Sequence, residues 1–279
     1  MEENYYKGMR NDMKREYLVI VLVFMVFLLN GCLGSKQQEE KWTLIEKNVI
    51  TLSDGASVDL WTSDIPFYDV YKLADETILL RVEKQVELAD SLVIGVESYN
   101  DLSELAQGAV DDYYDNLGLL YNLNKELEKA YAEYKKEGAR FNSYFISQTT
   151  VPIASNDKIM CFLTAVTVPI EGQTVDEFHI GAVFDKSTGE YIDVWDVFIT
   201  EKKETKKILL EKSGIEDSSL KVELIDAFEW GNVCMFRDHL EIFFPQGILP
   251  SQEHSLFVAI DYDDIQDILQ NWAKFEANM

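Results

Sequence analysis

An α+β domain, with antiparallel or mixed sheets built from hairpins and packing helices set between them, is the fold this sequence predicts. Three observations lead there. Strand-like runs recur in pairs around turn residues, amphipathic helical segments interrupt them, and 47% hydrophobic with 12% aromatic residues supply a proper core. Helices inserted between hairpins argue against the regular alternation of a doubly wound sheet.

The chain opens with a segment that is not part of that domain. Lys14 and Arg15 precede an apolar core, Tyr17 to Leu29, of 13 residues. A helix needs roughly 20 residues to cross a hydrocarbon layer of about 30 Å, so a permanent span would be strained. A cationic start, short apolar core and small residues at a cut are the parts of an export signal. Leu29-Asn30-Gly31-Cys32 resembles the lipobox of bacterial lipoproteins, which implies that residues 1–31 are a signal peptide and that the Cys32 thiol takes a lipid. The expected address is the extracytoplasmic face of a cell membrane. Residues 32–41, polar and aperiodic, then read as a flexible tether.

Residues 42–119 read as a strand-rich part with one helix. WTLIEKNVI, ASVDLWTS, TILLRVEKQVEL and LVIGVES are β-branched runs with partial alternation, and Ser53-Asp54-Gly55 has the residues of a turn. Leu102, Leu105, Ala106, Ala109 and Tyr113 then fall on one helical face behind a possible Asn100 cap. Residues 120–279 read as a second α+β part. Its helix places Leu123, Leu127, Ala130, Tyr131 and Tyr134 at steps of four and three, with Gly138 to close it. FNSYFISQTTVPI and DKIMCFLTAVTVPI flank a tight turn at Ala154–Asp157. DEFHIGAVFD and EYIDVWDVF flank Lys186–Gly189, where Gly189 can take the left-handed conformation. A charged helix over Glu201 to Lys212, a less regular stretch to Trp230, a hairpin around Arg237-Asp238 and a strand SLFVAI follow. Asp263 to Ala277 reads as a last helix, with Ile265, Ile268, Leu269 and Trp272 on one face.

The net charge is −25. In residues 1–31 four cations cancel four anions, so the exported part carries the whole excess. Such a surface repels nucleic acid and favours basic proteins or other cations, while acidity also keeps an exported domain soluble. Of three cysteines, Cys161 and Cys234 remain once Cys32 is set aside; both lie in apolar runs, where two separate buried thiols and a disulfide are both open.

No catalytic, cofactor or metal site is expected. His179, His239 and His254 lack the spacing of a metal or catalytic pair, and no CxxC, GxSxG or glycine-rich phosphate loop occurs. Asp261, Asp263, Asp264 and Asp267 lack the glycine and terminal glutamate of a calcium loop and suit a helix start instead. The tryptophans, Trp42, Trp61, Trp195, Trp230 and Trp272, read mainly as core; Phe67-Tyr68 and Tyr113-Tyr114 are candidates for exposed ligand or partner contacts.

Three stretches resemble a known module. These are ELEKAYAEYKKE at Glu126–Glu137 leading into paired strands; Phe184-Asp-Lys-Ser-Thr-Gly189-Glu followed by Asp196-Val197-Phe198; and Leu240-Glu-Ile-Phe-Phe-Pro245-Gln-Gly-Ile-Leu-Pro250 followed by Val258-Ala-Ile-Asp-Tyr262. In order and spacing they are similar to the extracytoplasmic module of RsiV-type anti-sigma factors and the non-catalytic part of PdaC-type peptidoglycan deacetylases, over roughly Leu120 to Leu269. The family's glycine-flanked histidine turn is not matched at His179, and Gln246-Gly247 and Glu253-His254 also depart from it. The resemblance implies a non-enzymatic binding or sensing module for a protein such as lysozyme or for a cell-wall glycan. The alternative is a peptidoglycan-modifying enzyme or its accessory subunit. The 16 residues before the apolar run leave no room for a sigma-binding domain, so a complete anti-sigma factor is not expected.

Overall fold

The apolar run at residues 159–162 is covered on both faces. In the strand Ile159–Pro169, Ile159 and Cys161 face one core while Met160 and Phe162 face another, and all four are almost fully buried. A strand sandwiched in this way needs no polar alternation. The computed structural model describes residues 41–63, 68–169, 175–228 and 232–275; Leu29, Asn30, Gly31 and Cys32 lie outside them, as do Phe67 and Trp230.

Eight strands form one sheet in sequence order: β1 Trp42–Thr51, β2 Ser57–Ser63, β3 Tyr68–Leu73, β4 Ile78–Glu83, β5 Tyr144–Ser155, β6 Ile159–Pro169, β7 Val175–Asp185 and β8 Tyr191–Ile192. All neighbours are antiparallel except β4 and β5, which pair in parallel from Leu80↔Tyr144 to Val82↔Ile146. A parallel pair requires a long crossover. Here it is supplied by two helices, α1 Glu104–Leu117 and α2 Leu123–Glu137. A second, antiparallel sheet contains β9 Asn232–Met235, β10 His239–Phe244 and β11 Leu256–Asp261 in the order β11-β10-β9. Helices α3 Lys202–Lys212 and α4 Ser218–Ala227 precede it. The fold is α+β, and Trp42–Met279 forms one compact unit.

Three apolar clusters hold the layers. Leu127 and Ala130 of α2 pack with Leu79, Leu80, Tyr144 and Ile146 on either side of the parallel pair. Ala106 and Val110 of α1 pack on Met160, Phe162, Ala182 and Phe184. On the far face of the same strands, Cys161 and Val183 join Leu209, Leu224, Ile242, Phe244 and Ile260. Cys161 and Cys234 share this last cluster as unpaired, buried thiols, so the disulfide alternative is not realised. Burial raises the pKa of both.

The local signals worked where turn chemistry or caps were explicit. Gly55 and Gly189 adopt positive φ, at 89° and 73°, and Gly138 caps α2 with its N–H on the Tyr134 carbonyl. Four expectations are corrected. Helix α1 is capped by Ser103, whose side chain accepts from the Ala106 N–H at 3.2 Å, rather than by Asn100, and Leu105 is 73% exposed. LVIGVES is a turn-rich connection, because both neighbours of β4 are already β3 and β5. The stretch before Trp230 contains α4, started by the Asp217 carboxylate on the Ser219 and Leu220 N–H groups. Residues 263–277 do not form the expected helix among those described: 3₁₀ turns at Tyr262–Asp264 and Asn271–Ala273 replace it. The reason is competition for backbone groups. The Ile268 carbonyl accepts from Ile199 N, Gln270 N donates to Val197 O, and Leu269 bridges Phe198.

Asn156 ties this C-terminal segment to the β5–β6 turn. Its Oδ1 accepts from the N–H groups of Lys158 at 2.7 Å and Ile159 at 2.9 Å, and its Nδ2 donates to the carbonyls of Trp272 and Lys274 at 3.0 and 3.1 Å. Asn156→Ala therefore orphans several groups at once, and we expect a loss of about 2 kcal/mol. Faster amide exchange over residues 271–275 would accompany it; unchanged exchange there would show that the side chain is not the tie.

Candidate functional site

A cleft of about 420 Å³ opens where α1, β5 and the segment after β4 meet. The chain reaches it from four places. Gln85, Val86, Glu87, Leu88 and Ala89 follow β4; Tyr99 lies on a 3₁₀ turn; Asp111, Tyr114 and Asp115 come from one face of α1; Gln148 and Thr150 come from β5. Residues 111, 114 and 115 share a helical face because steps of three and four return to the same side. Residues 148 and 150 share a strand face for the corresponding reason.

The inner side of the cleft is ordered by hydrogen bonds. Tyr99 is buried and its hydroxyl donates to Asp111 Oδ2 at 2.7 Å. Gln148, also buried, accepts from the Leu120 N–H at 2.8 Å and donates to the Gly118 carbonyl at 2.9 Å, so it fixes the α1–α2 connection as it lines the cleft. Thr150 Oγ1 and Thr164 Oγ1 pair at 2.9 Å. Tyr114 sits among Phe162, Phe184 and Tyr113, and its Oη is buried with no well-formed hydrogen bond. Burial drives the Tyr114 phenol far above its ordinary range, with the nearby Thr164 hydroxyl acting weakly the other way; Tyr99 is raised by burial and then by Asp111. Both phenols are protonated donors at neutral pH. Toward solvent the cleft is acidic: Glu87, Asp111 and Asp115 are exposed, and the lining contains no Lys, Arg or His.

The other concentration of charge is His179. Its Nδ1 lies 3.1 Å from Glu241 Oε1 and its Nε2 3.0 Å from Glu177 Oε1, with the side chain 13% exposed. The rings of Phe243 and Phe257 pack against it at 5.5 and 4.8 Å. Burial opposes its charge, but the hydrogen bonds and charges of the two glutamates more than offset this and raise its pKa to about 9. Both ring nitrogens are engaged, so the arrangement ties β7 to β10 and leaves no nitrogen to serve as a base.

Other residues singled out in the sequence take structural positions. Lys72, buried, lies over the rings of both Trp42 and Trp61, at 4.8 and 4.9 Å, and pairs with Glu76. Trp195 packs on Phe198 and Phe228 beneath Lys202 and Lys206, and Trp272 flanks the C-terminal core. Tyr68 meets Phe145 edge-on. His239 stacks on Phe236 at 4.8 Å beside Asp238, and His254 is exposed on a bend. Asp261 accepts from Asp263 N, and Asp263 accepts from Gln266, so these acids organise their own turn. Of the exposed-aromatic candidates, Tyr114 reaches the cleft. Tyr99 is masked in the sequence by the strand-like composition of residues 92–98 beside it, and its partner Asp111 by being one acid among many on an amphipathic helix. The Ser98/Asp101 capping box beside Tyr99 is the signal that would have placed it.

No family model and no curated protein matches the sequence. Among helices of the described residues none is long and apolar enough to cross a membrane. The chain is similar in structure to a DUF3298 family protein from Pseudomonas aeruginosa PAO1, with 10% identity, 86% of this chain and 99% of that chain covered, and a TM-score of 0.36. It is also similar to a DUF3298 family member from Bacteroides fragilis NCTC 9343, with 13% identity, coverage of 85% and 96%, and a TM-score of 0.37.

Proposed function

We propose that this chain is a lipid-anchored, extracytoplasmic binding or sensing module, non-enzymatic, whose ligand is a basic protein of the lysozyme kind or a cell-wall glycan. The observation that carries this reading is the placement of charge. The entire excess of −25 follows the signal segment, and many of the domain's cations are already neutralised by acids. Lys84 pairs with Asp69 at 3.4 Å, Lys129 with Glu126 at 3.0 Å, Lys135 with Asp54 at 3.1 Å, and Lys186 with Glu97. The remaining acidic surface steers cations toward it and weakens with salt.

The test is capture by the fragment Lys41–Met279, presented with wall fragments and secreted basic proteins including lysozyme, at low and high salt. Saturable capture that weakens severalfold at high salt is the expected result, and no partner at either salt would sink the reading. The anchor is tested in the full chain: Cys32→Ser should release the protein from the membrane fraction and abolish lipid labelling.

A second reading has one observation in its favour. The carboxylate-lined cleft is the kind of feature a wall-modifying enzyme or its accessory subunit would use. Against it, Asp111 is hydrogen-bonded to Tyr99, and the lining offers no cysteine, serine or histidine as partner for a carboxylate. Release of new reducing ends, acetate or ammonia from peptidoglycan by the purified protein, lost in Asp115→Asn, would replace the binding reading with this one.

A further inference from the structure

We infer that the turn over residues 92–96 is the apolar anchor on which a basic protein docks, and this rests on the binding reading proposed above, to which it gives a surface. Leu92 and Ile94 are 77% and 104% exposed, so the rest of the chain hides little of the first and nothing of the second. Single exposed apolar residues are ordinary on a protein surface. This pair differs in being held out on a fixed turn. The Val96 N–H donates to the Val93 carbonyl at 3.1 Å, Gly95 takes the positive φ of +81° that such a turn needs at its third position, and the Arg237 guanidinium donates to the Gly95 carbonyl at 2.9 Å. Before the turn, buried Ser91 donates its hydroxyl to the Leu88 carbonyl at 2.7 Å. After it, the Ser98/Asp101 capping box leads into buried Tyr99, and Asn100 Nδ2 donates to the Ala89 carbonyl at 2.8 Å, closing the segment across its base. A surface fixed in advance loses little freedom when it binds.

The charge beside the turn selects the partner. Residues 85–105 contain Glu87, Asp90, Glu97, Asp101 and Glu104, all exposed, and no Lys, Arg or His. Arg237 and Lys186 reach the segment from elsewhere, at the Gly95 carbonyl and at Glu97, and Asp101 is engaged in its capping box. Glu87, Asp90 and Glu104 are left as an acidic rim. An apolar centre with a charged rim is the composition of a protein interface. A second copy of this chain would bring the same acids to the contact, and an anionic membrane surface would repel them likewise. A basic protein with an apolar depression matches both parts. Val222 and Ile225 on α4, each 59% exposed, provide the comparison: they stand among Lys221, Glu223 and Asp226, charges of both signs, and so lack a rim that selects a cationic partner.

The probe is lysozyme, and its association with and dissociation from the fragment Lys41–Met279, which contains the entire compact unit, are followed by surface plasmon resonance at low salt. Leu92→Ser combined with Ile94→Ser changes only exposed side chains, so the fold is kept. This variant is expected to dissociate at least about tenfold faster, because apolar anchors act on the lifetime of a complex. Glu87→Gln combined with Asp90→Asn should slow association severalfold, because rim charges act on encounter. Val222→Ser combined with Ile225→Ser should bind as the wild type. Unchanged dissociation in the Leu92/Ile94 variant, unchanged association in the Glu87/Asp90 variant, or an equal loss in the α4 variant would each overturn the inference while leaving the binding reading in place. Sedimentation of the fragment as a dimer that the Leu92/Ile94 variant takes apart would also overturn it, by giving the turn to a second copy. No binding of lysozyme by the unaltered fragment would remove the inference together with the protein half of that reading.

Discussion

Replacing Gly189 with alanine is expected to lower the unfolding free energy by about 3 kcal/mol or more. Two costs coincide. Gly189 has φ of +73°, a region that disfavours a Cβ by roughly 1 to 2 kcal/mol. The added Cβ would also lie 2.3 Å from the Ala106 carbonyl oxygen and 2.8 Å from its Cα. These are backbone atoms of α1 and cannot swing aside as a side chain would. Ala106 is itself fully buried, so relief requires α1 to lift from Phe162 and Phe184, which opens the cluster that also carries the cleft. Gly55→Ala is the internal control. Its φ is +89° but nothing lies within 4 Å of the new Cβ, so about 1 kcal/mol of strain remains without the collision. Urea denaturation of the two variants separates the terms; equal losses would show that α1 yields freely and that the close approach carries no energy.

The same glycine marks how far the sequence could be read. Lys186-Ser-Thr-Gly189 declares a turn, and Asp185 completes it by accepting from the N–H groups of Ser187 and Thr188 at 2.8 and 3.0 Å. That is local chemistry. The approach of α1 to Gly189 is a contact between residues 83 positions apart and leaves no local trace. The misread segments fail for related reasons. LVIGVES has the β-branched content of a strand, but β propensity expresses fit to a free, half-buried sheet position, and β4 has no free edge to offer. Leu92 and Ile94 are consequently left 77% and 104% exposed on a connection. Strand β3 was missed because Lys72, polar in sequence, is buried over two indole rings. Helix α4 hid its period because Val222 and Ile225, both 59% exposed, blur the contrast between its faces.

The cleft was harder to read than the fold. Hydrophobic periodicity reports which side of an element is covered, and it found Ala106, Leu127 and Ala130 without difficulty. A polar cleft built from residues 85, 99, 111 and 148 has no period. Each of its acids, taken alone, is an ordinary exposed residue in a chain with 50 aspartates and glutamates. Of its residues the sequence singles out Tyr114, in an aromatic pair on a helix. What the crossover between the parallel strands contributes is therefore proximity: it lays α1 across β5 to β7 and brings Asp111 and Asp115 over the β5 residues Gln148 and Thr150.

Between pH 6.5 and about 9 the folded state is expected to lose about 2 kcal/mol through His179 alone. The imidazolium is retained in the folded protein up to about pH 9 but is lost near 6.5 in the unfolded chain. In that window the folded state binds the extra proton, so stability falls as pH rises; below 6.5 the contribution is present in full. A shift of this size at 1.36 kcal/mol per unit would give about 3.4 kcal/mol. Glu177 is 52% exposed, and solvent screening at that end of the triad reduces the figure to about 2. The glutamate side has the opposite sense. Glu177 is held below its ordinary pKa, first by its hydrogen bond from His179, so its contribution is present above about pH 4.5 and disappears as the solution is acidified through the lowered value. The triad therefore supports the β7–β10 contact best between these limits. His179→Gln keeps a polar group between Glu177 and Glu241 but removes the proton. Urea unfolding of both proteins at pH 6, 7.5 and 9 should show the variant less stable at pH 6 and nearly level with the wild type at pH 9. Parallel pH profiles would mean that the imidazolium does not hold the two sheets together. The Cys161 thiol, raised by burial alone, cancels in this comparison, whereas the Cys234 thiol, raised by burial and then by Glu241, belongs to the same charge network as the histidine.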